Sequence, residues 1–459
     1  MTRSSPGDLG RDSIGRLLFK LAVPSITAQL VNMMYNIVDR IYIGHIPVVG
    51  ETALTGVGVT FPIIMIISAF SSLIGMGGAP LASIKMGQQD DEGAEKVLGN
   101  CFVSLLCVAA VLTALFLFFN EPLLMLFGAS NETGPYGKAY LDIYVCGTVF
   151  VQLALGLNVF ISAQGFAMTS MATVLIGALA NIILDPILIF GFGMGVQGAA
   201  LATILSQALS AAWVLYFLLG KKTKLKLRRR HLRPSGKVLL PVLALGVSPF
   251  IMQSTESLVI ISLNSSLQAY GGDSAVGAMA ILSSLMQVLS MPLTGLTQGA
   301  QPIIGYNYGA RNNDRVWKTF RLLLLCSVTF STLFWLMMMI CPQVFAMIFS
   351  NSRSLVKTAA RAARIYMAGA FMIGVQTSCQ QTFLAVGQAK VSLCLALLRK
   401  IVLLIPLIYI LPLFFADKVF AVYLAEPVAD ILAACTTLTV FLLRFRKILA
   451  ANAAPPAEE

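Results

Sequence analysis

The chain has 459 residues, of which 57% are hydrophobic and only 11% are charged, and its mean hydropathy is +0.83. Soluble globular proteins carry about 25% charged residues, so this composition excludes a soluble globular protein and indicates an integral membrane protein. The formal net charge of +12 comes from 32 basic and 20 acidic side chains, and its meaning depends on where these side chains fall.

Twelve apolar runs are long enough to cross a bilayer, which takes about 20 helical residues. They lie at 16–43, 53–84, 97–119, 136–163, 170–191, 196–219, 238–268, 276–304, 316–341, 358–386, 391–414 and 419–443. The sequence therefore predicts an all-α integral membrane protein with twelve transmembrane helices. The polar segment before the first run has no small-residue cleavage site after a short apolar core, so we expect no removable signal peptide.

The first run carries a polar stripe. Gln29, Asn32, Asn36 and Asp39 are spaced three, four and three residues apart, which places all four on one face of a helix. We predict that this face, with Tyr35, points into a substrate cavity and that Asp39 binds the coupling ion.

The fifth and sixth runs supply polar groups at the same depth. Asn181 and Asp185 are four residues apart and share a face, Pro186 releases a carbonyl one turn earlier, and Thr203 lies early in the next run. An ionised Asp at the centre of a membrane helix costs about 2.5 to 3.5 kcal/mol, so buried carboxyl groups are natural carriers of protons or cations. The alternative is that Asn and Thr neighbours satisfy a buried Asp that only fixes helix register.

The basic side chains predict the orientation. Most fall in segments that are cytoplasmic if the N-terminus is inside, as the positive-inside rule requires. The densest run, 221–233, is better explained as an orienting linker that also contacts anionic lipid than as a nucleic-acid patch. The rule leaves one group unexplained on the predicted outer side, namely Arg353, Lys357, Arg361 and Arg364.

The chain contains an internal duplication. GAP-x6-G ending at Gly87 aligns with GAQP-x6-G ending at Gly309 at an offset of 222, and residues 21–29 align with 245–253 at an offset of 224. We predict an N-lobe at 1–220, a basic cytoplasmic linker at 221–237, a C-lobe at 238–447 and a disordered tail at 448–459. Two copies of six helices enter the membrane in the same direction, which gives a pseudo-two-fold axis along the membrane normal.

The second copy lacks the first copy's carboxylate. Gln253 repeats Gln29, Glu256 stands at the position of Asn32, and Leu263 stands at that of Asp39. We place Gln253 and Glu256 in the substrate cavity, where Glu256 neutralises a cationic substrate or binds an ion, with a satisfied buried carboxylate as the alternative. We predict structural ion pairs between Arg399 and Lys400 on one run and Glu426 and Asp430 on the next.

Several functions are excluded by missing motifs. The sequence has no G-x4-G-K-[ST] loop for ATP, and its G-x-G-x-x-G at Gly193, Gly195 and Gly198 lies in a short turn that follows no strand. No catalytic constellation or C-x-x-C pair appears. We predict neither an enzyme nor a metal site.

The duplicated six-helix unit, P-x14-D from Pro24 to Asp39, the repeated P-x6-G loops and the N-x3-D-P of the fifth run together resemble the multidrug and toxic compound extrusion (MATE) family, in particular its bacterial MepA-like branch. The resemblance implies a V-shaped pair of six-helix bundles that exports lipophilic or cationic compounds in exchange for H+ or Na+, with a helix that bends near Pro24. Asp39, Asn181, Asp185 and Thr203 match the family's ion-coupling cluster residue by residue. Glu256 matches a carboxylate that some members use in the second lobe, but the tenth run has no partner carboxylate, so the first lobe is the better site for coupling.

The resemblance also implies the setting. We expect a monomer in the bacterial cytoplasmic membrane with both termini inside, in contact with membrane lipids, and without an ATPase subunit, nucleic acid or any cofactor beyond the coupling ion. A flippase for lipid-linked oligosaccharides is the alternative function, since related exporters share the same plan. It requires a cationic cavity, and the predicted spans contain only Arg40, Arg399 and Lys400 as cations.

Overall fold

The computed structural model describes residues 8–127, 129–349 and 353–453. The helices of the first half are α1 Ile14–Gly44, α2 Gly50–Gly87, α3 Asp91–Leu126, α4 Gly134–Cys146, α5 Thr148–Ala163, α6 Ala167–Pro186 with a π-helical end at Ile187–Gly191, and α7 Val196–Leu219. Those of the second half are α8 Gly236–Gly309, α9 Asn313–Ile340, α10 Pro342–Phe349, α11 Arg353–Tyr366, α12 Ile373–Ala385, α13 Ala389–Leu397, a π-helix at Leu398–Leu404, α14 Ile405–Ile410 and α15 Lys418–Ala453. Single 3-10 turns lie at Arg229–His231, Ala370–Met372 and Leu411–Leu413. The predicted all-α fold is confirmed.

The duplication is visible in backbone detail. Gln89 and Arg311, 222 residues apart, both adopt positive φ (63° and 57°) in the turn after α2 and after α8. The next residues, Asp90 and Asn312, each accept a hydrogen bond from the backbone N–H three residues on and so cap α3 and α9. The two copies thus end and begin their helices by the same local chemistry.

The two halves contact each other where α1 and α2 cross α8. A Cβ on Gly246 would lie 1.7 Å from the Leu73 carbonyl oxygen, and a Cβ on Gly87 would lie 1.9 Å from that of Tyr306. Both close approaches lie in the parts of the helices that are nearest the linker. The two halves of the protein are therefore joined at that end of a V.

Eleven of the twelve predicted spans meet the length and hydropathy needed to cross a membrane within the described residues, if α4 and α5, which meet at a bend of 59°, count as one span. The runs 238–268 and 276–304 form the two parts of α8, which is kinked between them at Gly272 (φ 62°). Each part is a span of its own. The tenth run, 358–386, differs from its prediction because α11 is too polar and short to span alone, and a 3-10 turn separates it from α12.

The predicted tail begins too early. α15 continues to Ala453, so residues 448–453 are helical, and only 454–459 lie outside the described residues. Asn452 Nδ2 donates to the Tyr308 carbonyl at 2.8 Å, and Asn313 Nδ2 donates to the Leu449 carbonyl at 2.7 Å. Contacts with the α8–α9 turn therefore extend the helix beyond the membrane.

The basic linker is docked on the first half. Gln164 Oε1 accepts backbone hydrogen bonds from Lys224 and Leu225 at 2.8 and 2.9 Å, and the buried Glu95 carboxylate pairs with Arg228 at 2.8 Å. Asn100 Oδ1 accepts from the Ser235 N–H at 2.7 Å. The linker is thus an ordered part of this end of the molecule.

Candidate functional site: a cavity beside a carboxyl pair

A cavity of about 820 Å³ lies in the first half and reaches the second half at its wall. Its lining is rich in amides and hydroxyls, with aromatic and Met side chains between them. The amides are Gln29, Asn32, Asn36, Asn158, Gln207, Gln253, Gln287, Gln298 and Gln301. A concave, mixed polar and aromatic space of this size suits a drug-sized molecule.

The charged groups of the lining are few. Asp39 and Arg40 are the charged residues among the described residues around the cavity. The Arg40 guanidinium lies 5.4 Å from the centroid of the Phe61 ring, which engages it in a cation–π contact. Asp39 is therefore the one anionic side chain of the described lining, and Arg40 is its one cation.

Asp39 meets Asp185 at the back of the cavity. The two carboxyl groups lie close enough for the charge of each to act on the other. Asp185 is fully buried, and Asp39 Oδ1 and Asp185 Oδ2 accept no hydrogen bond from any donor among the described residues. Two carboxylates in contact repel each other when both are ionised, so the pair is complete when it holds a proton or a cation.

Asn181 and Thr203 complete the cluster. Asn181 Nδ2 donates to Asp185 Oδ1 at 3.2 Å, as the four-residue spacing on α6 requires. The Thr203 hydroxyl donates to the Ala199 carbonyl at 3.0 Å. A small pocket of about 40 Å³, lined by Asn181 and Thr203 among others, lies behind the cavity and has room for a water molecule.

The structure brings together most of the residues predicted for the site. Gln29, Asn32, Tyr35, Asn36 and Gln253 all line the cavity. Two of them also make contacts between the halves: Gln29 Nε2 donates to Gln298 Oε1 at 3.1 Å, and Ser72 Oγ donates to Gln253 Oε1 at 3.0 Å. The polar stripe of α1 therefore serves both the cavity and the junction.

Sequence analysis missed other residues of the lining. Tyr140 and Tyr144 stack at 5.9 Å along its wall, and Gln287, Gln298 and Gln301 close its second-half side. The i, i+4 spacing of the two tyrosines was a readable signal of a shared face. The glutamines of α8 gave no such signal, because which face of that helix meets the other half is decided by tertiary packing.

Glu256 lies apart from the predicted cavity. It is absent from the described lining and instead contacts Lys400, whose ammonium also donates to the Met252 carbonyl at 2.8 Å. The prediction that Lys400 pairs with Glu426 and Asp430 is therefore wrong. Lys400 pairs with Glu256 instead, because α8 comes nearer to Lys400 than α15 does. Arg399 alone bridges those acids, at 3.2 Å to Glu426 and 2.7 Å to Asp430.

A comparison with protein families identifies the family of the chain. A family model described as MatE matches residues 24–187 and 249–410, one match in each half and most of the chain. The chain belongs to the MatE family. The two matched segments lie in the two copies of the duplication, and each covers the first five of that copy's six predicted spans.

Individual relatives match this chain over nearly its whole length and theirs. The chain is similar to the multidrug export protein MepA of Staphylococcus haemolyticus, with 26% identity over 423 residues and 92% of both chains covered. Among solved structures, it is similar to a MATE protein in a bent conformation, with a TM-score of 0.91, 22% identity and coverage of 97% and 98%. It is equally similar to a transporter of the MOP superfamily from Pyrococcus furiosus, with a TM-score of 0.90, 22% identity and coverage of 99% and 100%, whose binding pocket is described as having reversed polarity. The MATE-type two-lobed fold of a multi-pass membrane protein is thereby confirmed.

Proposed function

We propose that the chain is a proton-coupled antiporter that exports lipophilic, often cationic, compounds across the bacterial cytoplasmic membrane. The observation that carries this proposal is that Asp39 and Asp185 lie close together next to a drug-sized cavity, in which Asp39 is the anionic side chain of the described lining. The similarity to proteins named multidrug export protein supports the substrate class.

The geometry favours H+ over Na+ as the coupling ion. A proton held between two neighbouring carboxyl groups allows one to donate a hydrogen bond to the other. Sodium would need further oxygen ligands, for which Asn181 Oδ1 is a candidate because no donor among the described residues uses it. The proximity of Asp39 and Asp185 is the arrangement that a shared proton stabilises.

Coupling follows if a proton and a cationic compound compete for the carboxylate of Asp39. With Asp39 ionised, the cavity holds a carboxylate that attracts a cationic compound. When a proton enters from the outside and occupies the Asp39–Asp185 pair, that attraction is lost and the compound leaves. Because the halves pack closely at the linker end, we expect the cavity to open on the opposite side, which is the exterior if the basic linker is cytoplasmic.

The flippase alternative receives less support. A polyanionic pyrophosphate headgroup needs several cations, and Arg40 is the one cation among the described lining residues. Arg399 and Lys400 are already engaged by carboxylates in the second half.

The assignment is tested by neutralising each carboxyl group. In efflux-deficient cells, we expect Asp39→Asn and Asp185→Asn to raise ethidium and norfloxacin accumulation to the level of cells without the protein, because neither variant can exchange a proton at the pair. Asp142→Asn is the matched control, since Asp142 lies in the same half but contacts Asn120 outside the cavity lining. The assignment is wrong if Asp39→Asn lowers accumulation as well as the wild type does.

A further inference from the structure

Helix α11 carries a stripe of four cations, which we call the α11 basic stripe: Arg353, Lys357, Arg361 and Arg364. The spacing of four, four and three residues places them on one face, and all four side chains are exposed. The opposite face buries small and aromatic residues of the second half's core, among them Ala359, Ala363 and Tyr366. The helix is therefore held by its apolar side and presents its charge outward.

The stripe lies at the end of the molecule opposite the linker. α9 starts beside the linker-side turn at Asn312 and ends at Ile340, and Arg364 Nε donates to the carbonyl of Met339, its penultimate residue, at 3.2 Å. Leu355 packs near Gly277, close to the start of the span Ser274–Gly309. The stripe thus runs at the level where the spans leave the membrane.

The four cations make no salt bridge to the acidic side chains that the structure describes. The corresponding helix of the first half, α4, carries the single cation Lys138, which Glu121 pairs at 2.8 Å. The stripe is therefore specific to one half. Uncompensated positive charge on this side opposes the orientation rule that the rest of the chain follows.

The neighbouring helix presents apolar side chains to the same surroundings. α10 packs against α11. The α10 side chains Val344, Met347 and Ile348 are 59%, 59% and 70% exposed, and Ile340 at the end of α9 is 69% exposed. In water such a patch would be unfavourable, whereas in a bilayer it lies among acyl chains. Apolar side chains beside a row of cations match the boundary between acyl chains and phosphate headgroups.

We propose that the α11 basic stripe is a binding site for the phosphate headgroups of anionic phospholipids, in the leaflet opposite the linker. The exposed residues of α10 anchor this edge in the acyl region, and the stripe then meets the headgroup phosphates. A soluble anion would explain the charge but not the apolar surface beside it, so a lipid is the occupant that both observations support.

The test uses the full-length protein purified in detergent and native mass spectrometry with equal amounts of phosphatidylglycerol and phosphatidylcholine. The variant Arg353→Gln/Lys357→Gln/Arg361→Gln removes three cations and keeps Arg364, which holds the end of α9. Each cation near an anionic membrane surface contributes a factor of about five in binding, so we expect a roughly hundred-fold loss of phosphatidylglycerol binding at this site. The matched control is Lys85→Gln/Lys96→Gln/Lys138→Gln, which removes three cations that carboxylates already pair and so changes the total charge equally.

The proposal holds if the wild type and the control variant retain phosphatidylglycerol in preference to phosphatidylcholine and the stripe variant does not. It is overturned if the stripe variant retains as much phosphatidylglycerol as the wild type, or if the control variant loses as much. Should the stripe variant fold poorly, Arg353→Lys/Arg361→Lys keeps the charge and must keep the lipid. Inorganic phosphate added to the wild type separates the two phosphate sources: if it displaces the bound lipid at millimolar concentration, the site takes free phosphate and the lipid assignment is wrong.

Discussion

At the level of single residues, the two halves differ in whether a cationic side chain neutralises their buried carboxylates. In the second half, the Arg399 guanidinium lies between Glu426 and Asp430 and neutralises them without any external ion. In the first half, Asp39 and Asp185 face each other with no cation between them among the described side chains. Asp39 and Asp185 need a proton or a cation to neutralise them, whereas Arg399 already neutralises Glu426 and Asp430. We therefore propose that ion coupling takes place in the first half.

Arg399 should accordingly be structural. Arg399→Met leaves two uncompensated carboxylates in the interior, and removing one partner of a buried ion pair costs about 3 to 5 kcal/mol. We expect a clear fall in the melting temperature of the purified protein, measured by intrinsic fluorescence in detergent.

The compensating variant separates this role from coupling. Arg399→Met/Glu426→Gln/Asp430→Asn removes the charges together and should recover most of the lost thermal stability, with export retained. A triple variant that melts normally but no longer exports would show instead that the second-half charges take part in transport.

At the level of helices, the junction between the halves depends on glycine. Gly246 on α8 faces the Leu73 carbonyl on α2, and a side chain there would overlap backbone rather than a flexible group. Backbone cannot yield without moving the whole helix, so even one methyl group forces the two helices apart.

Gly246→Ala is therefore expected to cost about 1 to 3 kcal/mol of stability and to reduce export strongly. Gly236→Ala is the control on the same helix, because a Cβ at Gly236 meets nothing within 4 Å. Thermal melting and ethidium accumulation measured on both variants check the prediction. Equal behaviour of the two alanines would mean that the close crossing of α2 and α8 is unimportant.

Helices were largely predictable because their signals are local. Apolar runs and an offset of 222 residues were enough for the spans and the duplication, including the paired glycines Gly165 and Gly387, which both adopt positive φ (87° and 79°). The break between α11 and α12 was missed, because the apolar count over 358–386 averages a polar first part with an apolar second part. The contact of Lys400 with Glu256 joins residues 144 positions apart, and no periodicity within one helix reports such a pairing.

On the scale of the whole molecule, the cavity, the carboxyl pair and the closed junction form one arrangement. The cavity lies in the first half, its far wall is built by glutamines of α8, and the halves are packed tightly only toward the linker. The sequence alone placed Asp39, Asn181, Asp185 and Thr203 at one depth, and in the structure the carboxyl groups of Asp39 and Asp185 lie close together. Proton coupling is the function that we propose from this proximity.

The most direct measurement of that conclusion is transport in reconstituted liposomes with an imposed pH gradient or an imposed Na+ gradient, run separately on the wild type and Asp39→Asn. The account predicts that the pH gradient alone drives movement of ethidium through the wild type, that the Na+ gradient at equal pH does not, and that Asp39→Asn responds to neither. Ethidium movement driven by the Na+ gradient at equal pH, or by the pH gradient through Asp39→Asn, would contradict it.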